Sequence, residues 1–390
     1  MTSKESIYIF NNAILSEKGM SGSDRRVIHW SGVFKKSGLK IIIITSRFGE
    51  SRFKGKGYKT IITGGVDFRK VGIMKASFLQ IILGLRKSSK LNLKKEDIIY
   101  SSSDLPGDFF PAFLAKLRNR NSRFFCGIHL IAPNPFKGFK KGYQQGFSLP
   151  SFSGIFYFLI QRLTISLLKK FANFVMVSNH LDREFLLRRG FPEKQVIVTY
   201  GAVDRNLIPK KTMRKEFDAC WIGRLHPQKG IEDIYLIWQK VLLEFPKAKL
   251  LIVGEDNLKE DFEKRGEFKA LEKNIKFSGY LEGKGLFGAL KKSKILLCPS
   301  YYESFGMVIA EAMACGLPVV AYSLPVYEKI YGSNILKSEI GDWKKFARSV
   351  IKLIEDKKKR FEFSNKSAKA SFSFTWEKTA KEILKTLNLK

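Results

Sequence analysis

Two carboxylates eight positions apart, Glu303 and Glu311, are the side chains whose spacing first suggests chemistry. They lie in SYYESFGMVIAEAMACGLPVV, residues 300–320. Glu303 precedes a Ser-Phe-Gly turn, and Glu311 stands inside an apolar run. The run predicts a helix over 307–315, closed in the usual order by Gly316 and Pro318. Glu303 then falls in the loop before the helix and Glu311 in its second turn. The Glu311 side chain leans back toward the helix start, so both acids can face one cleft. Carboxylates accept hydrogen bonds and suit the hydroxyls of a sugar or ribose. The plainer alternative is one solvated acid and one acid paired with a lysine.

A second cluster is GRLHPQKG, residues 223–230, which offers Arg224 and Lys229 just ahead of a helix. A helix N-terminus and two cations favour a phosphate group there. A basic loop is also commonly no more than solvated. His129, one of four histidines, directly follows a strand-like run. It reads either as a satisfied structural residue or as a functional one. KGMSGSDRR, residues 18–26, adds a glycine turn at Gly22 where backbone could approach an anion. It lacks the G-x-G-x-x-G pattern and the acid that should follow, so a dinucleotide site is not indicated.

The elements that must position these groups read as alternating strands and helices. Strand-like runs occur at 7–10, 41–45, 97–100, 123–128, 174–178 and 196–200, and again at 219–223, 250–254, 275–279, 295–299 and 318–322. Short, continuously apolar runs alternating with helices predict α/β sheets of buried parallel strands. Two series predict two domains, with the polar, basic stretch 204–216 between them. Ile231, Ile234, Ile237, Trp238, Val241, Leu242 and Phe245 share one helical face, and Pro246 ends it. Residues 374–387 predict a last helix, and 155–171 a basic-flanked packing helix.

Charge narrows the partners. The 390 residues hold 70 Lys and Arg against 36 Asp and Glu, a net of +34. Residues 1–200 carry +22 of it, and from Phe109 to Leu181 there is no acid. Such a field draws polyanions or anionic membranes and says nothing of fold. No nucleic-acid motif accompanies the charge, so nucleic acid is the rival partner rather than the expected one. Aromatic and basic residues interleave through 135–143, which suits a membrane interface. No apolar run is long enough for a signal peptide or a spanning helix, which predicts a cytoplasmic chain, peripheral on the membrane if it meets one. Cys126, Cys220, Cys298 and Cys315 are scattered among apolar neighbours and read as reduced core residues.

These loops, in this order, resemble the retaining glycosyltransferases of the GT-B fold, glycosyltransferase family 4 (glycosyl transferases group 1). The likeness is strongest over 196–323. It rests on GRLHPQKG, on SGYLEGKGLFGALKKSKILLCPS and on the Glu303-to-Glu311 spacing. VTYGAVD resembles the family's turn before the linker, and FTWEKTAKEIL its last helix.

The resemblance implies two doubly wound Rossmann-like domains facing a cleft. They would be an acceptor domain over 1–204, a linker over 205–216 and a donor domain over 217–372. A C-terminal helix over 373–390 would return to the first domain. It implies a nucleotide-diphosphate sugar as co-substrate, UDP- or GDP-linked, and a glycan or lipid-linked or membrane-associated glycan as acceptor, with no cofactor and no metal. The absence of any Asp-x-Asp pair fits the last point. Arg224 and Lys229 would hold the diphosphate and Glu311 the ribose. Glu303, with backbone amides near Phe305 and Gly306, would hold the sugar and its phosphate. His129 would reach the sugar from the other domain, Gly22 would close over the phosphate, and Tyr280 and Leu281 would lie near the base. The sequence departs from the family where Ser23 replaces a frequent second glycine after Gly22. A GT-B epimerase or phosphorylase is the alternative within the fold.

Overall fold

The structure, a computed structural model, describes residues 5–17, 19–136, 151–224, 226–254 and 271–389. The aromatic and basic stretch 135–143 therefore lies, from 137 onward, outside the described residues.

The chain divides into two units. The first is built on a parallel sheet of β1 (Ser6–Asn11), β2 (Lys40–Thr45), β3 (Lys59–Ile62), β4 (Ile98–Ser101), β5 (Arg123–Ile128), β6 (Phe174–Val177) and β7 (Val196–Val198). Its spatial order is β3-β2-β1-β4-β5-β6-β7. The connecting helices are α1 (Gly22–Lys36), α2 (Phe68–Val71), α3 (Ile73–Ser88), α4 (Pro106–Arg118), α5 (Phe152–Phe171) and α6 (His180–Leu187). Ile7, Ile9, Ile43, Ile44, Ile98 and Ile99 are wholly buried, as strands covered on both faces require. A last helix, α13 (Trp376–Thr386), belongs to this unit although the chain reaches it only at the end. It packs on α1, where the Trp30 indole N–H donates to the Thr379 hydroxyl at 2.9 Å and His29 stacks on Trp376.

The second unit carries the parallel sheet of β8 (Ala219–Ile222), β9 (Leu250–Val253), β10 (Ile275–Phe277), β11 (Leu296–Cys298), β12 (Val319–Tyr322) and β13 (Leu336–Ser338). Their order is β10-β9-β8-β11-β12-β13. Its described helices are α7 (Ile231–Glu244), α8 (Gly283–Lys292), α9 (Met307–Ala314), α10 (Pro325–Tyr331), α11 (Trp343–Glu355) and α12 (Lys357–Ala370). The apolar face counted on α7, Ile234, Ile237, Trp238 and Val241, forms the core of this unit with Leu250, Ile252, Leu297 and Phe346.

The division falls at Tyr200/Gly201 and Thr375/Trp376 rather than at 204/205 and 372/373. Hydrogen bonding explains the shift. Val203 N–H donates to the Phe374 carbonyl at 3.2 Å, inside the second unit. Arg205, expected as linker, donates to Ser371 Oγ at 2.8 Å and lies over the Phe372 ring.

All four cysteines are free and buried. Burial pushes the Cys220 and Cys315 thiols up to about 12, so neither is a reactive thiolate at neutral pH.

Candidate functional site

In a doubly wound sheet, the crevice for a ligand opens beyond the strand carboxyl ends where the strand order reverses. In the second sheet that reversal falls between β8 and β11. The loop after β8 is GRLHPQKG, and the loop after β11 carries Glu303. Topology therefore brings the two candidate loops to one place.

Hydrogen bonds fasten them together. Tyr301 N–H donates to the Gln228 carbonyl at 2.8 Å, and Gln228 Nε2 donates to the Tyr302 carbonyl at 2.6 Å. The tightest approach is at Gly230, which joins the 3-10 turn Pro227–Lys229 to α7. Its φ is +64°, and a Cβ there would overlap the Pro299 carbonyl oxygen. Only glycine permits both the left-handed backbone and that contact. Asp233, in the first turn of α7, is buried and accepts from the hydroxyls of Tyr301 and Tyr322, the latter at 2.5 Å. It ties α7 to the end of β12 and to the loop after β11.

The result is a direct ion pair. Lys229 Nζ lies 2.5 Å from Glu303 Oε1, with the two side chains 21% and 13% exposed. Ser300 Oγ donates to the same oxygen at 3.0 Å. An ammonium has three N–H donors, so one bond to Glu303 leaves two for a phosphate oxygen. Arg224 is exposed on the same loop. Burial and the cations of Arg224 and Lys229 lower the His226 pKa, which keeps that ring neutral. Its Nδ1 accepts from the Gln228 N–H at 3.2 Å, so Nε2 carries the proton.

Helix α9 starts beside the pair. Gly306 is its N-cap, in the left-handed region at φ +82°, and neither a capping side chain nor an acid in the first turn occupies that end. The Tyr331 hydroxyl donates to the carbonyls of Phe305 and Gly306 at 2.9 and 3.1 Å. In a planar trans peptide the N–H points opposite to the C=O. The amides of Gly306 and Met307 therefore point away from Tyr331, out of the helix end. That arrangement suits an anion. Phe305 is buried against Tyr331 and Phe374, which fixes the turn. Glu311 is buried in the second turn of α9, 2% exposed.

Tyr280 and Leu281 stand after β10, two strands away from β8. Tyr280 is exposed and donates to Glu282 Oε2 at 2.8 Å, and Leu281 is half-buried. The structure thus joins Lys229, Glu303, Phe305, Gly306 and Glu311 through two adjoining loops and one helix, with Arg224 at the rim.

Gly22 and His129 belong to the first unit. Gly22 opens α1 behind a complete capping box. Ser21 Oγ accepts from the Asp24 N–H at 3.2 Å, and Asp24 Oδ2 accepts from the Ser21 N–H at 2.8 Å. Asp24 is itself paired with Arg52 at 2.8 Å. The buried Arg26 donates to the Gly22 carbonyl at 3.1 Å and to Ser178 Oγ at 3.0 Å. Ser178 Oγ lies 3.5 Å from His129 Nδ1, and His129 Nε2 lies 2.8 Å from the Ser102 carbonyl oxygen. A carbonyl only accepts, so Nε2 holds the proton and Nδ1 faces the serine hydroxyl. Burial, with the Arg26 cation nearby, pushes the His129 pKa down to about 3. His129 is thus a neutral hydrogen-bonding group.

That state is testable. The stability tied to the depressed His129 pKa is fully present above the ordinary value of 6.5 and is lost as pH falls toward 3. His129→Gln keeps a donor for Ser102 but cannot be protonated. Its melting temperature should fall less than that of the parent between about pH 6.5 and pH 4. Equal losses would contradict the assignment.

Sequence reasoning passed over Asp233, Ser300, Gln228, Arg26 and Ser178. Asp233 carried a legible signal, an acid on the buried side of α7. Ser300 and Gln228 lay inside the quoted motifs but were given no role. Arg26 and Ser178 carried none, because only the fold brings residues 152 positions apart together. Among the described residues, no three His, Cys, Asp or Glu side chains stand close enough to hold a metal ion.

Residues 204–370 match the family model of glycosyl transferases group 1. The chain is 29% identical over 232 residues to an uncharacterised glycosyltransferase of Methanocaldococcus jannaschii, covering 54% of this chain and 58% of that one. It is 22% identical over 235 residues to the O-antigen chain mannosyltransferase B of Escherichia coli, covering 56% and 61%. The matches thus span about three-fifths of these relatives. Among solved structures, Anabaena HepE in complex with UDP and glucose superposes with a TM-score of 0.72 at 16% identity, over 99% of each chain. That likeness identifies the two-sheet architecture as GT-B. The chain thus has the GT-B fold, and its residues 204–370 are similar to the glycosyl transferases group 1 family.

Proposed function

We propose that this chain transfers a sugar from a UDP- or GDP-linked donor to an acceptor hydroxyl, with retention of anomeric configuration and without a metal ion. The observation that carries the reading is the Lys229–Glu303 pair beside the open N-terminus of α9, at the reversal of strand order. A diphosphate needs fixed positive groups, and a sugar needs acceptors for its hydroxyls. Here both stand side by side.

In this reading Arg224 and Lys229 neutralise the diphosphate. The amides of Gly306 and Met307 hold the phosphate next to the sugar, Glu303 takes sugar hydroxyls, and Glu311 takes the ribose. Tyr280 and Leu281 lie toward the base. As the anomeric C–O bond breaks, the electron pair goes to the diphosphate oxygen. The acceptor oxygen bonds to the anomeric carbon on the same face, and its proton passes to that phosphate oxygen. The cations and amides stabilise the developing negative charge. The likeness to a structure solved with UDP and glucose favours a UDP-linked donor, and the acceptor is a glycan or a lipid-linked glycan.

The test is a thermal-shift screen of UDP-, GDP- and ADP-sugars, followed by nucleotide release with and without acceptor. One class of donor should raise the melting temperature, because a ligand bound only by the folded chain stabilises it. Free nucleoside diphosphate should then appear only with acceptor and be unchanged by EDTA. No shift with any donor, together with a salt-sensitive gel shift on DNA, would favour the nucleic-acid reading. Isomerised donor formed without acceptor would favour an epimerase.

A further inference from the structure

We propose that the first unit docks on an anionic lipid surface through an apolar patch formed by α3 and α5, a contact that goes beyond the transfer reaction and does not depend on it.

Helix α5 buries Gln161, Thr164, Ile165 and Leu168. Its opposite side presents Phe152, Phe156, Leu159 and Leu163 at helical spacing, with Phe152 77% and Leu159 59% exposed. Helix α3 buries Ala76, Gln80, Gly84 and Ser88 and presents Ile73 and Phe78, 59% and 62% exposed. The two helices lie in one layer with α4 between them. Ser88 Oγ donates to the Pro111 carbonyl of α4 at 2.5 Å, and Phe113 of α4 meets Phe171 of α5 edge-on at 5.2 Å. Each helix runs back from the carboxyl end of a parallel strand, so their N-terminal halves gather at the same edge of the sheet. Ile73, Phe78, Phe152, Phe156 and Leu159 stand in those halves, with Leu163 just beyond.

Exposed apolar groups of this size need a cover. Charge selects the cover. Lys75 lies in the N-terminal half of α3 and Arg162 at the middle of α5, Arg86, Lys87, Lys169 and Lys170 lie in the last turns, and neither helix holds an acid. The surrounding sequence has no Asp or Glu over residues 68–95 or 109–181. A second copy would bring the same positive face and be repelled. Nucleic acid would satisfy the cations but leave Ile73, Leu159 and Leu163 without an apolar partner. An anionic bilayer satisfies both, with acyl chains for the apolar stripe and head groups for the cations. No described helix is long and apolar enough to cross a membrane, so the contact lies along the surface.

The test is co-sedimentation of the full chain with phosphatidylcholine vesicles, with and without phosphatidylglycerol, at low and high salt. The variant combines Phe78→Ser, Phe152→Ser and Phe156→Ser, three exposed positions outside the donor site, and its circular dichroism and melting temperature confirm an intact fold. The parent should pellet with phosphatidylglycerol vesicles at low salt and be released by high salt. The triple variant should bind at least about tenfold more weakly. Its thermal shift with nucleotide sugars should match the parent, which separates this proposal from the transferase reading. The proposal is overturned if the parent does not pellet or if the variant pellets equally well. It is overturned too if the patch instead proves to hold a dimer, or DNA, that the triple variant loses.

Discussion

Lys229→Ala is expected to lower transfer by about 10²–10³-fold, the cost of removing one fixed donor to developing negative charge. Glu303→Ala should lower it comparably, by a different route. In the proposed reading Lys229 holds a diphosphate oxygen, so its loss should also weaken binding of the bare nucleoside diphosphate. In that reading Glu303 takes the sugar hydroxyls, so its loss should leave nucleotide affinity nearly intact and fall on kcat. Both side chains reach solvent, so breaking the pair should cost only about 1–2 kcal/mol of stability. Calorimetric titration with UDP or GDP, alongside steady-state kinetics, checks the split. Full turnover by either variant would remove the pair from the reaction.

The second large effect is expected at Gly230. Gly230→Ala forces a Cβ against the Pro299 carbonyl and a left-handed backbone on a residue that resists it. Together these should cost about 3 kcal/mol or more. The loops carrying Lys229 and Glu303 should move apart, so donor binding falls with the melting temperature. Gly230→Asn separates the two causes. Asparagine tolerates the left-handed region but brings the same Cβ. It should be as damaging as alanine, and a melting temperature close to that of the parent would show that only the backbone angle matters.

The sequence was most legible where strands are buried on both faces. The apolar runs at 41–45, 123–128 and 250–254 are strands because water is excluded from both sides. The strands that escaped notice are β3 and β13, at the outer edges of their sheets. KTII and LKS are short and half-exposed there, so no apolar run announces them. The helix over 231–244 was legible from its periodicity and its proline stop. The site was legible as two loops, since a glutamate in a turn and a lysine before a helix are local features. That Lys229 and Glu303 touch was not, because 74 residues separate them and only the adjacency of β8 and β11 closes the gap.

Helix α13 packs on α1 although some 340 residues of chain intervene between Lys36 and Trp376. While the ribosome is still making the second unit, Trp30 and its neighbours have no indole or threonine from that helix to cover them. The first sheet is thus finished last. A nascent chain must shield this incomplete surface until the final turn emerges, and a stop codon anywhere upstream of Trp376 would leave it bare.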